Sequence, residues 1–172
     1  GGGSTVNRNS KSINNNLSMS SGFGLSRDVK IQFKFDDNYS LNSSTTTTGQ
    51  RSHSRLVYNE LDLPFPEWSV RVSSLEKLPL LNAFVQRVSL DHNYNGQFNQ
   101  TFNVDKGLEV VTKDDRDAKF APLVGLNLSF KNGMTVSMRY NTSETVSLTK
   151  GFGDGATKMS RNDFSFTANY SK

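Results

Sequence analysis

Apolar and polar residues alternate along most of the chain with the period of two that a β-strand requires. The clearest run begins at Val124, and a second run follows Gly133. The apolar positions of these two runs are Val124, Leu126, Leu128 and Phe130, then Met134, Val136, Met138, Tyr140, Val146 and Leu148. Helical periodicity is almost absent, so the chain is predicted to be all-β.

The same alternation marks further strands on both sides of these two runs. They cover residues 17–25, 29–41, 68–72, 88–104 and 164–170. Between the two clearest strands lies Lys131-Asn132-Gly133, whose Asn-Gly pair favours the positive φ angles of a type I′ hairpin turn. Polar segments rich in Gly or Asp predict long loops at 105–119 and 150–158 and shorter turns at 24–27 and 45–50.

One segment, residues 61–84, departs from simple alternation. Pro64 and Pro66 cannot donate to a β-ladder, so they indicate an interrupted or edge strand. The stretch 75–84 is the one candidate helix; it is short, and Pro79 is tolerable in a first turn. We therefore expect a Pro-interrupted strand followed by a short helix.

Composition excludes several classes of protein. Only 34% of the 172 residues are hydrophobic, while 23 Ser, 18 Asn and 13 Thr make up nearly a third of the chain. No apolar run is long enough for a transmembrane helix, and 10% aromatic residues are too many for a disordered polar tract. Cysteine is absent, and the net charge of +4 is scattered, so neither disulfides nor nucleic-acid binding are expected.

Strand length separates a membrane barrel from a soluble sandwich. Strands of soluble domains run about 5–6 residues, whereas tilted membrane strands need about 9–11. The alternating runs here are at least that long, and their polar sides carry Ser, Asn and Thr, which suit a water-filled lumen. The pattern predicts an antiparallel up-and-down transmembrane β-barrel segment with about seven long strands and one short helix, over residues 11–172. Residues 1–10, beginning Gly-Gly-Gly-Ser, are expected to be a flexible start or linker.

Parity predicts that this segment belongs to a larger barrel. If the tight turns lie on the periplasmic side, residues 51–74 must cross the membrane once, interrupted at the prolines. The short helix at 75–84 then falls on the periplasmic side. The chain then makes seven crossings, whereas single-chain bacterial barrels have an even number of strands. We therefore expect the segment not to close by itself.

Three ordered blocks resemble one family. They are Leu63-Pro64-Phe65-Pro66-Glu67-Trp68 with Leu75-Glu76-Lys77-Leu78-Pro79 and Val88-Ser89-Leu90-Asp91-His92-Asn93-Tyr94, then Phe120-Ala121-Pro122-Leu123-Val124-Gly125-Leu126 with Lys131-Asn132-Gly133, and Arg27-Asp28-Val29-Lys30-Ile31. In order and spacing these blocks are similar to the SprA family of gliding-motility cell-surface proteins, over roughly residues 20–170.

The resemblance implies the outer-membrane translocon of the type IX secretion system, a very large barrel of which this chain would be a run of strands. It implies location in the cell outer membrane, export of secreted proteins, and a role in gliding motility. The implied partners are membrane lipid, secreted substrate proteins and other secretion-system components.

No catalytic, cofactor or metal site is expected from the sequence, and an enzyme is not predicted. Each candidate has a simpler interpretation. The polar residues would line a lumen or be merely solvated: Arg71, Asp91, Asn127 and Arg139. A metal site at His53 and His92 lacks a third ligand, and a calcium loop at Asp114, Asp115 and Asp117 lacks the required Gly and Glu. The segment Gly151–Gly155 lacks the strand-to-helix context of a phosphate loop. The aromatic residues Trp68, Tyr58, Tyr94, Tyr140 and Tyr170 would form interfacial girdles or an ordinary core.

Two other functions remain open at this stage. One is a small self-contained outer-membrane barrel, porin-like or an anchor, and the other is a soluble β-rich adhesin or binding domain. Pairing between the first and last strands would favour the small barrel, and open edges would favour a segment of a larger one.

Overall fold

The computed structural model describes residues 10–58, 61–151 and 153–171, and most of them belong to one antiparallel sheet. The all-β prediction is confirmed. The strands are β1 (Lys11–Gly24), β2 (Val29–Ser43), β3 (Thr47–Tyr58), β4 (Leu61–Pro64), β5 (Glu67–Val72), β6 (Val85–Asp105), β7 (Leu108–Phe130), β8 (Met134–Thr149) and β9 (Gly155–Tyr170). In this described part, no helix is long and apolar enough to cross a membrane. Of the expected linker, only Ser10 lies among the described residues.

The nine described strands make seven crossings, where a crossing is one passage of the chain from one end of the sheet to the other. Residues 47–54 of β3 and the whole of β5 both lie between β2 and β6, at successive levels along those two strands. They therefore form one crossing that is interrupted between residues 55 and 66. The single crossing predicted around the prolines is confirmed, and β4 stands outside the row of crossings, paired with the end of β3.

The connections fall at two opposite ends of the sheet. The turn end holds the connections at 25–28, 73–84 and 131–133. The loop end holds those at 44–46, 106–107 and 150–154. The chain enters the sheet at the loop end in β1 and leaves it at the turn end in β9, as an odd number of crossings requires.

The two outermost strands leave the sheet open. Within the described residues β1 pairs only with β2, and β9 pairs only with β8. Every residue of β9 is exposed, and only one residue of β1 is not. The sheet therefore presents two long edges whose outward backbone groups have no strand beside them.

The long loop predicted at 105–119 is wrong, because this segment is β-structure. Strand β6 runs to Asp105 and β7 begins at Leu108, with only Lys106 and Gly107 between them. Both residues have positive φ, 49° and 82°, as a two-residue type I′ turn requires. Two other connections are also shorter than predicted: the turn near Thr45 spans 44–46, and the loop after β8 spans 150–154.

The helix predicted over 75–84 is also mostly wrong. Only Leu75–Lys77 form a 3₁₀ helix, followed by isolated hydrogen-bonded turns to residue 84 that do not join into a helix. Leu78 has extended backbone angles, φ −66° and ψ 136°. A residue before proline is disfavoured in the helical region, so the 3₁₀ turn ends at Leu78. A separate single turn begins there, in which the Leu78 carbonyl accepts from the Asn82 amide at 3.0 Å.

The Asn-Gly hairpin is present, but its turn type differs from the prediction. Strands β7 and β8 are joined by the three residues 131–133, and Gly133 has φ 88°. Asn132 is not among the described residues with positive φ. This is the pattern of a three-residue loop closed by one left-handed glycine, in place of a two-residue type I′ turn.

Candidate membrane-facing surface

The register of the ladders gives the sheet one apolar face and one polar face. On the apolar face, one row across β6 to β9 consists of Leu90, Leu126, Met138 and Phe166. The adjacent row, on the polar face, runs Arg71, Asp91, Gly125, Arg139 and Ser165 from β5 to β9. The division between an apolar and a polar side predicted from alternation is confirmed across the sheet.

The apolar side chains are concentrated in a band at the turn end of the apolar face. Along β7 the band extends from Phe120 to Phe130, with a bulge between Phe120 and Val124. The facing stretch of β8, residues 134–142, is within the range of about 9–11 residues that a tilted strand needs to cross a bilayer. Towards the loop end the same face becomes mixed: Glu144 and Lys158 form an ion pair of 2.9 Å there, beside the apolar Val146. The band is therefore bounded along the strands.

Aromatic rings mark the boundary of the band on its loop-end side. Phe33 and Trp68 are register partners. Trp68 stacks on Tyr94 with ring centroids 4.3 Å apart, and Tyr94 meets Phe120 at 4.8 Å. We call Phe33, Trp68, Tyr94 and Phe120 the aromatic line. Rings at the edges of an apolar band are typical of outer-membrane strands.

Two other predicted girdle residues, Tyr140 and Tyr170, lie on the same face at other levels. Tyr140 pairs with Phe164 just below the aromatic line. Tyr170 lies at the turn end beside Met134, where Phe130 also ends its strand. Tyr58 lies in β3, and its side chain is outside the described residues.

Most of the band is not covered by a second layer. Phe164, Phe166 and Tyr170 are 61%, 58% and 64% exposed. The buried apolar residues instead lie mainly on β6, where the sheet is covered locally: Val85, Val88, Tyr94, Phe98 and Phe102, with Ala118 on β7. A soluble antiparallel sheet usually packs one face on a core, and this sheet leaves the apolar face of β1 and β9 exposed.

The predicted lumen residues share the polar face. Arg71 donates to Asp91 at 2.7 Å, and Arg139 lies in the same row on β8. Asn127 accepts a hydrogen bond from Ser137 at 2.9 Å in the next row of that face. Polar side chains pair across neighbouring strands elsewhere on this face, as Thr145 does with Asp117.

The side chains of the acidic residues do not converge on a common point; these residues are Asp114, Asp115 and Asp117. They lie in β7, where successive side chains point to opposite faces, so Asp114 is separated from Asp115. Lys150 binds Asp114 at 2.9 Å, and Lys113 binds Asp115 at 2.7 Å. Burial opposes ionisation of Asp114, but the bonds from Lys150 and Gln100 outweigh it and lower its pKa. This part of β7 lies beyond the band, at the loop end.

The two histidines are separate and serve different contacts. His53 lies against the Phe98 ring at 5.1 Å, and His92 Nδ1 is 2.7 Å from the carbonyl oxygen of Leu123. No group of three or more potential metal ligands occurs among the described residues. In the glycine-rich loop, the Gly151 amide donates to Asp154 at 2.9 Å, while residue 152 lies outside the described part.

Sequence reasoning missed one feature of this surface, the segment that leaves the sheet between β3 and β5. The Tyr94 hydroxyl donates to the carbonyl oxygen of Arg55 at 3.1 Å and accepts from the Val57 amide at 2.9 Å. A Cβ at Gly96 would collide with Arg55 and Tyr94. Pro64 and Pro66 signalled the interruption, but no sequence pattern indicated to which face the segment would fold.

The chain matches no protein-family model, no curated protein and no solved structure.

Proposed function

We propose that this chain is part of the wall of an outer-membrane β-barrel. The observation that carries the proposal is the apolar band, bounded by the aromatic line, on one face of a sheet whose other face is polar. Lipid would cover the band and water the polar face. Such a division is what a water-filled barrel needs, since its outward and inward side chains alternate along every strand.

The exposed band favours this proposal over a soluble adhesin or binding domain. Soluble monomers rarely expose apolar patches of more than a few hundred Å². Here Met19 on β1 is 60% exposed and Phe166 on β9 is 58% exposed, at opposite edges of the sheet. A soluble protein would need a second layer over this face.

The open edges favour a segment of a larger barrel over a small self-contained one. Strands β1 and β9 run in the same direction, so pairing them directly would create a parallel seam in an antiparallel wall. Backbone groups in lipid must be paired within the protein, so both edges need further strands.

The specific pore that we propose is the protein-conducting translocon of a type IX secretion system. This step rests on the resemblance of the ordered blocks around Trp68, Phe120 and Asp28 to the SprA family. A wall of Ser, Asn, Thr and paired ions offers no apolar patch on which an unfolded chain would stick. The chain would act without catalysis, with secreted proteins passing through and other secretion components supplying energy and gating.

A pair of neighbouring substitutions tests membrane insertion. Phe166→Arg places a charge in the band, whereas Thr167→Arg places the same charge on the polar face of the same exposed strand. A lipid-facing Arg near the bilayer midplane costs about 2–4 kcal/mol, and a lumen-facing one costs little. We expect F166R to lower recovery in the outer-membrane fraction and T167R to leave it unchanged.

The same pair, introduced into the chromosomal gene, tests the secretion function. We expect F166R to reduce export of proteins to the cell surface and gliding, in proportion to its loss from the outer membrane. Normal membrane recovery of F166R would contradict the barrel proposal. If F166R is lost from the membrane while export is unchanged, the barrel proposal stands and the translocon proposal is contradicted.

A further inference from the structure

The segment that interrupts the third crossing forms a small projecting element. We call it the flap; its described parts are residues 55–58, at the end of β3, and 61–66, which include β4. The two parts pair with each other, Leu56 beside Leu63 and Arg55 beside Pro64. An excursion of this kind in a barrel wall can fold inward as a constriction or outward against lipid.

The contacts place the flap on the apolar face. Its two bonds to the Tyr94 hydroxyl tie it to a residue of the aromatic line. The Arg55 guanidinium lies over the Phe98 ring at 5.1 Å, and Phe98 belongs to the same face. Asp62 accepts ion pairs from Arg55 and, at 3.1 Å, from Arg116. All of these anchors lie on the face that carries the band.

The flap lies at the height of the aromatic line and carries exposed apolar side chains. Phe65 meets Trp68 edge-on with ring centroids 5.9 Å apart. Leu63 is 50% exposed and Phe65 is 40% exposed. The one acid of β4, Asp62, is bound to arginines. The flap therefore extends the apolar surface of the band outward at the band's boundary.

We propose that the flap is a lipid-contacting element, with Leu63 and Phe65 seated at the boundary between acyl chains and headgroups, and that it is not a lumen plug. The occupant is lipid because the exposed side chains continue the band that lipid would cover. Aromatic and aliphatic side chains at this depth are favourable contacts for the interface. The inference rests on the proposed membrane location, and its test separates the two.

Because this chain has no cysteine, it adds no background signal to a single introduced cysteine that carries a spin label. The labels would be placed at Leu63 in the flap, at Val136 in the band, and at Ser137 on the polar face, in outer-membrane vesicles from cells that produce the whole barrel. Accessibility to oxygen reports lipid, and accessibility to a water-soluble nickel chelate reports water. We expect labels at 63 and 136 to favour oxygen, with 63 at a shallower depth, and the label at 137 to favour nickel.

The outcomes distinguish the two proposals. Nickel accessibility at both 63 and 136 would overturn the membrane location itself. A label at 136 that is accessible to oxygen, together with a label at 63 that is accessible to nickel, would support the barrel proposal and overturn the flap inference. A label at 63 that neither reagent reaches would indicate a protein partner on the flap and would also overturn it.

A second variant tests the docking contact without changing the flap's own sequence. Tyr94→Phe keeps the ring in the aromatic line and removes both hydroxyl bonds to the flap. We expect the label at 63 to become more mobile and to shift towards water, with the label at 136 unchanged. An unchanged spectrum at 63 would contradict docking through Tyr94.

Discussion

At the scale of single residues, Gly96 shows how closely the flap approaches the sheet. Strand β6 passes beneath the flap at this position, and the backbone of Arg55 occupies the space that a side chain would need. The absence of a Cβ is therefore required by close approach, and not by backbone angles. The same contact keeps Tyr94 buried at 2% exposure.

Replacing Gly96 by Ala should displace the flap. Overpacking of a filled site costs typically 1–3 kcal/mol, so we expect a loss of about that size in the free energy of unfolding. Gly155→Ala is the matched control, because nothing lies within 4 Å of a Cβ added there. Denaturant unfolding measures both, and equal midpoints for G96A and G155A would contradict the contact.

The contact between the connection at 25–28 and the connection at 73–84 depends on pH, because Asp28 forms it. The hydrogen bond from Lys77, at 2.8 Å, is the main cause that lowers the pKa of Asp28, and a bond from Ser74 adds to it. Because the folded pKa lies below the unfolded value of about 3.9, the contact stabilises the fold above about pH 4 and is lost as pH falls through the folded pKa.

Asp28→Asn should remove this dependence. We expect lower amide protection in residues 73–84 of D28N than of the wild type at neutral pH, and equal protection once the pH is below the lowered pKa. Hydrogen exchange, corrected for intrinsic rates, measures the difference. A difference that persists in strong acid would show that Asp28 acts through something other than its charge.

At the scale of elements, the sequence predicts the strands well where one face is apolar and poorly where both faces are polar. Alternation identified β8 and the turn-end half of β9 because Met138 and Phe166 alternate with polar neighbours. The loop-end half of β7, from Lys113 to Lys119, carries charges on both faces, so its period of two disappears. Beyond the band both faces meet water, and hydrophobic periodicity cannot reveal a strand there.

The site was predictable to the same extent as the strands. The shared polar face of Arg71, Asp91 and Arg139 follows from alternation, since register fixes the side on which each residue lies. The docking of the flap on Tyr94 depends on contacts between distant segments, which no local pattern encodes. The turn at Lys106-Gly107 was missed because Lys is not a typical residue for a left-handed position.

That turn provides a prediction at the scale of a hairpin. Gly107 has φ 82° and open space around it, so Gly107→Ala introduces only the backbone cost of a left-handed alanine, about 1–2 kcal/mol. Lys106 has φ 49°, and Lys106→Asn should stabilise the turn because Asn tolerates this region better. The midpoint temperature of thermal unfolding should be higher for K106N than for the wild type and lower for G107A. The reverse order would contradict a type I′ turn.

At the scale of the whole molecule, order should decrease from the middle of the sheet to its edges. Strand β6 holds most of the buried apolar residues and is paired on both sides, whereas β1 and β9 are paired on one side and exposed. We expect amide protection to be highest in β6 and β7 and lowest in β1 and β9 when the chain is studied by itself. Uniform protection across all seven crossings would contradict open edges.

The odd number of crossings also has a consequence for whatever is joined to this segment. Strand β1 starts at the loop end of the sheet and β9 finishes at the turn end. In a membrane, a reporter fused ahead of β1 and one fused behind β9 would therefore emerge on opposite sides of the bilayer. A segment that spans a membrane in this way would carry the polypeptide from one compartment to the other, and a pair of compartment-specific tags would report its orientation directly.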